Sequence, residues 1–202
     1  AASDVYKRQS FIWGHQSVGM PPSRVTMMRS LQAKLTGITQ TERCATTAIF
    51  IAYPDNADFA VKVLKETVKE WVTALSSFSA SQLADIRMFW NAFAEQLSQC
   101  PAAQWWHRVK GFAGATIAAL MYYDWHVPTL EYWEDPLGVG WAPSCGYTPA
   151  LEAALVKSVY ERLWEFAGNA YLGAGIQGGV LRSVTIALRD KLRNKGDHAA
   201  VG

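Results

Sequence analysis

A mainly α-helical fold, an irregular bundle of about six to eight helices with one small β-hairpin near residues 130–142, is predicted by three features of the sequence. Apolar residues recur at three- and four-residue spacing through most of the chain. Proline and glycine punctuate those stretches where helices should end. In one place only, around EDPLG at 134–138, do short β-prone runs flank a cluster of turn residues.

Taken in order, Arg24 to Thr36 has Val25, Met28, Leu31 and Leu35 at helical spacing, with Gly37 as a stop and Arg24, Arg29 and Lys34 placed away from that stripe. A second helix is predicted over Glu42 to Ala52, opened by Thr41 and closed before Pro54, because the residue before a proline is driven out of the helical region. Asp55 or Asp58 caps the next helix. Its inward stripe is Leu64, Val68, Trp71, Val72 and Leu75, while Lys62, Lys65, Glu66, Lys69 and Glu70 face water. Ser79 or Ser81 starts another, with Leu83, Ile86, Trp90, Phe93 and Leu97 on one face and Pro101 beyond its end. A short helix from Ala102 to about Lys110 breaks at Gly111. The apolar segment Phe112 to Tyr123 then lets its neighbours come close through Ala113, Gly114, Ala115, Ala118 and Ala119, and belongs at the centre. Leu130–Trp133 and Val139–Ala142 form the hairpin. Thr148 with Pro149 opens a long helix to about Ala167, with Leu151, Leu155, Val159, Leu163 and Phe166 inward. A glycine-rich loop and a basic helix, Val180 to Asn194, close the chain.

Half of the 202 residues are hydrophobic and 18% are charged, a balance that supports a packed core and argues against disorder outside the ends. The formal charge of +2 is too small to announce nucleic-acid binding by itself, so any such surface has to be local. Cys44, Cys100 and Cys145 are odd in number and far apart, which suits reduced thiols in an intracellular, soluble protein. The run from Gly111 to Tyr123 falls short of the roughly 18 to 20 residues that a membrane span requires, so no membrane partner is expected. The first nine residues, AASDVYKRQ, resemble a translated sequencing adaptor and are expected to lie outside the native fold.

Each chemical motif competes with a structural alternative. GAGIQG at 173–178 matches G-x-G-x-x-G, but it follows a helix instead of a strand and no acidic ribose ligand lies at the required distance; an interhelical turn is the better reading. Cys100, His107, His126 and Cys145 are isolated where zinc would need closely spaced pairs. A Cys145–His126 nucleophilic pair and an Asp124–Glu134 acid–base pair are conceivable, yet no motif positions either one. No catalytic residue, metal or cofactor is therefore assigned. The tryptophan-rich stretch Gln104 to Trp133 reads as core: Trp105 or Trp106, Ile117, Leu120 and Trp125 form one cluster, with His107, Arg108 and Lys110 at its edge. Two basic faces, Arg24, Arg29 and Lys34 on the first helix and Arg182, Arg189 and Arg193 on the last, could each follow a phosphate backbone or simply be solvated.

FIWGHQSVGMPPSRVTMMRSLQAKLTGI, Phe11 to Ile38, resembles the region after the catalytic palm in reverse transcriptases of non-LTR (LINE-like) retrotransposons, where an aromatic-Gly turn leads into a helix spaced like L..LR...A...G. ERCATTAIFIAYPDNADFAVKVLKETVKEWV is similar to the helices that follow it there. WWHRVKGFAGATIAALMYYDWHVPTLEYWEDPLGVGW resembles a block of such elements in dinoflagellate-type algae, patterned W-x-x-V-x-G, a small-residue helix, G-W-x-P and W-x-D-x-x-G-x-x-W. The chain departs from it with Phe112 where proline is common and Asp124 where glycine is common. This resemblance implies a thumb-like segment over 10–53, a helical connector over 54–195 packed with it as one domain, and a flexible tail at 196–202. The implied partners are RNA or an RNA–DNA hybrid and an upstream polymerase palm, in an intracellular and, for a retroelement protein, nuclear setting. It also implies that Arg24, Arg29 and Lys34 grip the template-primer backbone. No Asp-Asp pair occurs in the sequence, so polymerase activity is not expected of this chain alone. The reading from a different class is a free-standing helical domain that binds a partner or a small ligand in an aromatic pocket between helices.

Overall fold

Several helix starts fall where the sequence supplies a capping side chain or a proline. In the computed structural model, which describes residues 19–37, 44–169, 176–181, 183–185 and 187, α1 spans Pro22–Lys34, α2 Ala45–Ala52, α3 Phe59–Leu75, α4 Ala80–Ser98, α5 Ala102–Arg108, α6 Gly111–Tyr122 and α7 Pro149–Gly168. Single 3-10 turns lie at Asp55–Ala57 and Pro143–Cys145. The chain is mainly helical with one small antiparallel hairpin, as predicted. Pro22 occupies the first position of α1, where a missing N–H costs nothing. Asp58, and not Asp55, caps α3: its Oδ1 accepts from Ala60 N at 2.9 Å. Ser79 and Gln82 form a capping box on α4, and Thr148 Oγ1 accepts from Leu151 N at 3.1 Å at the start of α7. The expected opening of α2 at Thr41 and Glu42 lies outside the described residues; its observed cap is Cys44.

Two compact units divide the chain, one comprising Ala1–Pro21 and Val63–Ser158 and the other Pro22–Lys62 and Val159–Gly202, so the boundaries fall inside α3 and α7. In the first unit three indoles stack. Trp71 of α3 lies 5.4 Å from Trp90 of α4 at 28°, and Trp90 lies 5.7 Å from Trp133 of the hairpin at 9°. Phe112 of α6 meets Trp71 edge-on at 5.2 Å. Such pairs add about 0.5–1.5 kcal/mol beyond the area they bury. All three indoles are essentially sealed from water. Trp90 Nε1 donates to Val127 O at 3.0 Å, whereas the Trp71 and Trp133 Nε1 groups have no partner.

Helix α6 is buried from Gly114 to Leu120, as expected of its small residues. A Cβ on Gly114 would sit 3.2 Å from the ring of Phe93, so glycine lets α6 approach the stacked Phe89 and Phe93 rings of α4. Trp125 N reaches back to Leu120 O and Asp124 N to Met121 O, the paired bonds of a Schellman stop. Asp124 accordingly has φ +62°, the one positive φ of a non-glycine among the described residues. Ile117, Leu120 and Trp125 are buried as expected, but Trp105 and Trp106 are only half-buried. Trp105 instead spends its Nε1 on the carbonyls at the end of α4, Leu97 O and Cys100 O, both at 2.9 Å.

The hairpin pairs β1, Trp133–Glu134, with β2, Gly140–Trp141, in the register Trp133↔Trp141 and Glu134↔Gly140. Gly138 N closes the turn onto Asp135 O, and Gly138 takes φ +80° after Pro136 and Leu137. Asp135 is buried and fully employed. Its Oδ1 accepts from Leu137 N and Val139 N and its Oδ2 from Trp141 Nε1, all within 3.1 Å.

In the second unit, Ala33 of α1 packs with Ala48 and Ile49 of α2. Phe50 meets Tyr160 and Trp164 of α7 edge-on at 5.6 and 5.3 Å. Two inward assignments are corrected here. Leu31 and Leu35 face solvent, since the buried face of α1 is Val25, Met28, Arg29 and Ala33. Phe166 is also exposed, its ring covered by the Arg162 guanidinium at 5.2 Å, while Tyr160, Trp164 and Ala167 turn inward.

Because Trp90 alone of the three stacked indoles has a hydrogen-bonded N–H, Trp90→Phe should cost about 1 kcal/mol more than Trp71→Phe or Trp133→Phe, the worth of one bond to a buried carbonyl. Urea unfolding of the three variants measures that difference.

Candidate functional site

Among the residues expected to contact phosphates, Arg24 and Lys34 are exposed on α1, about 15 Å apart along the helix axis. Met27, Leu31 and Leu35 lie between and beside them on the same outward face, each about half exposed. Arg182, Arg189 and Arg193 lie outside the described residues.

Arg29 is a correction. Its guanidinium is buried and grips Asp58, with Nε 2.9 Å from Oδ1 and Nη2 3.0 Å from Oδ2, while Nη2 also donates to Thr46 Oγ1 at 3.1 Å. Asp58 has no solvent exposure and takes the Ala60 amide besides. One turn on, Gln32 donates to Ala57 O at 2.7 Å and accepts from Phe59 N at 2.9 Å. Arg29 and Gln32 thus latch α1 to the entry of α3. A guanidinium committed in this way is not free to meet a phosphate. Its inward placement stayed hidden because helical periodicity scores an arginine as polar, and the compensating carboxylate lies 29 residues away.

The Cys145–His126 pair is not assembled by a hydrogen bond. His126 is exposed and bridges Glu134 through backbone groups only, at 2.9 and 2.8 Å. Cys145 is exposed in the turn after β2, and no hydrogen bond joins it to His126. Glu134 Oε2 accepts from the exposed Tyr132 hydroxyl at 3.3 Å; desolvation, then the Glu134 charge and this bond, raise the Tyr132 pKa. Among the described residues no three His, Cys, Asp or Glu side chains gather to hold a metal ion. Nor is any helix there long and apolar enough to cross a membrane. Of GAGIQG, residues 173–175 lie outside the described residues; Gly179 N closes a turn onto Ile176 O, with the Gly179 backbone against the Trp164 indole.

One concave feature escaped the sequence reading. Within the first unit, Val72 and Leu75 of α3, Leu83 of α4, Leu130 and Pro143 wall a cavity of about 560 Å³. Arg87 and Glu131 stand at the same cavity and pair at 2.6 Å, both about half exposed. Tyr147 also lines it. The Tyr147 hydroxyl is buried beside Glu152, and burial, then the negative charge of Glu152 and a hydrogen bond to it, push its ionisation above the usual 10.0. Glu152 is itself paired with Lys65. These residues are scattered over some 75 positions and share no motif, so no pattern in the sequence could have joined them.

Comparison with protein-family models, curated proteins and solved structures returns no match for this chain.

Two outcomes are expected. Arg29→Ala should lower stability by about 3–5 kcal/mol, because it leaves a buried carboxylate without its cation, whereas Arg24→Ala should stay within about 0.5 kcal/mol; equilibrium unfolding in urea distinguishes them. The raised Tyr147 pKa stabilises the fold fully below pH 10, and that share is lost as the pH rises further, since the unfolded phenol ionises first. Tyr147→Phe should therefore reduce the loss of stability above pH 10, followed by unfolding at a series of alkaline pH values.

Proposed function

We propose that the chain is a non-catalytic helical scaffold, the thumb and connector part of a non-LTR retroelement reverse transcriptase protein, that supports handling of an RNA–DNA template-primer. One observation carries the reading. The block that resembles such elements has glycine at three positions, 111, 124 and 138, and in this chain those positions have φ of +66°, +62° and +80°. Left-handed backbone is what a glycine at each place would serve. Position 112, where that block commonly has proline, falls in the first turn of α6, where proline is tolerated. Both departures of this chain, Phe112 and Asp124, are thus compatible with one backbone. The conspicuous residues of the block are also engaged in architecture: Trp133 in the indole stack, Asp135 in the hairpin turn, and Trp141 on the Asp135 carboxylate. That suits a scaffold better than a catalyst.

With Arg29 withdrawn, nucleic-acid contact on α1 falls to Arg24 and Lys34. Their contacts would be to phosphates, tolerant of sequence and weakened by salt. Fluorescence anisotropy with an RNA–DNA hybrid across a salt series is the test. Arg24→Ala and Lys34→Ala should each weaken binding and lower the slope of log K against log[salt] by about one. Undetectable binding by the wild-type chain at low salt would overturn the proposal.

A further inference from the structure

We propose that the cavity between α3, α4 and the 130–147 segment is a binding site for a small, uncharged, largely apolar molecule carrying one carbonyl-type acceptor. The inference stands apart from the nucleic-acid reading and uses none of its residues. The cavity volume, about 560 Å³, is within the range of roughly 300–1,000 Å³ at which proteins enclose small ligands. Its walls are aliphatic and come from four separate stretches of chain, Val72 and Leu75, Leu83, Leu130, and Pro143. Of its four hydroxyls, those of Thr73 and Ser76 are committed as donors, to Lys69 O at 2.8 Å and Thr73 O at 2.7 Å, that of Tyr147 faces the Glu152 carboxylate, and that of Ser144 belongs to an exposed residue. The polar handle is therefore Arg87. Its Nε is fixed on Glu131 Oε1, which orients the guanidinium, and its two terminal amino groups donate to no acceptor among the described residues.

The charge state of the ligand follows from the same pair. Glu131 already neutralises Arg87, so a second carboxylate brought to the guanidinium would be repelled by the first. An uncharged oxygen meets the free amino groups without that penalty. The apolar remainder of the ligand displaces water from the aliphatic walls.

The experiment titrates the whole chain with benzophenone, with diphenylmethane, which has nearly the same shape and no acceptor, and with diphenylacetate, which carries a charge. Backbone amide shifts in heteronuclear NMR report site and affinity. Saturable shifts should centre on Leu83, Arg87, Leu130 and Tyr147, with benzophenone binding about fivefold tighter than diphenylmethane, the ratio that one ordinary hydrogen bond supplies. Arg87→Met keeps the apolar stem and loses only a half-exposed ion pair, so the fold should persist while the preference for benzophenone disappears. Leu83→Trp should fill the cavity and abolish binding of both compounds with an unchanged urea midpoint. The proposal is overturned by absent or displaced shifts in the wild-type chain, by equal affinity for benzophenone and diphenylmethane, by tighter binding of diphenylacetate, or by a preference that survives Arg87→Met.

Discussion

The stack of Trp71, Trp90 and Trp133 is the constraint on which the larger unit rests. It ties two long helices to a hairpin whose strands are only two residues each, far too short to hold their place by backbone pairing alone. Trp90 is in the middle and is the one indole of the three with a hydrogen bond. The two outer indoles leave buried N–H groups without a partner, a cost that large aromatic burial offsets. The cavity depends on the same arrangement. Val72 follows Trp71 directly on α3, Leu83 and Arg87 precede Trp90 on α4 by two turns and one, and Leu130 and Glu131 run straight into Trp133. Whatever sets the stack therefore also sets the width of the pocket beside it.

Elements whose local chemistry agreed with their environment were legible in the sequence. Ser79 with Gln82, Thr148 with Pro149, and EDPLG between two aromatic runs each name a cap or turn through nearby partners, and each is found there. The failures share a cause. Leu31, Leu35 and Phe166 are apolar residues at positions that the rest of their helices leave outside, and Arg29 is a cation whose partner is remote in sequence. Hydrophobic periodicity assumes that polarity and exposure coincide, and a buried ion pair breaks that assumption on both sides of the helix at once. The cavity was illegible for a further reason: concavity is a property of how elements meet, and Val72 and Tyr147 carry no trace of it in their neighbours.

The Arg29–Asp58 latch also changes what α1 can offer. A helix read as a basic stripe becomes a helix with one buried cation, two exposed ones, and an outward row of Met27, Leu31 and Leu35. Its affinity for a polyanion is thereby limited to two widely separated charges, while its attachment to α3 becomes far more specific than aliphatic packing would make it. Asp58 contributes on both counts, since the carboxylate that accepts the guanidinium also caps the helix it starts.

The closeness of the three indoles has an optical consequence as well. Transition dipoles of rings 5.4 and 5.7 Å apart couple strongly, so the stack acts as a single chromophore with its own circular dichroism in the far ultraviolet. That signal overlaps the bands normally used to count helix. Helix content judged from those bands alone would therefore be distorted in this chain, and the same distortion would report directly on whether the hairpin is docked.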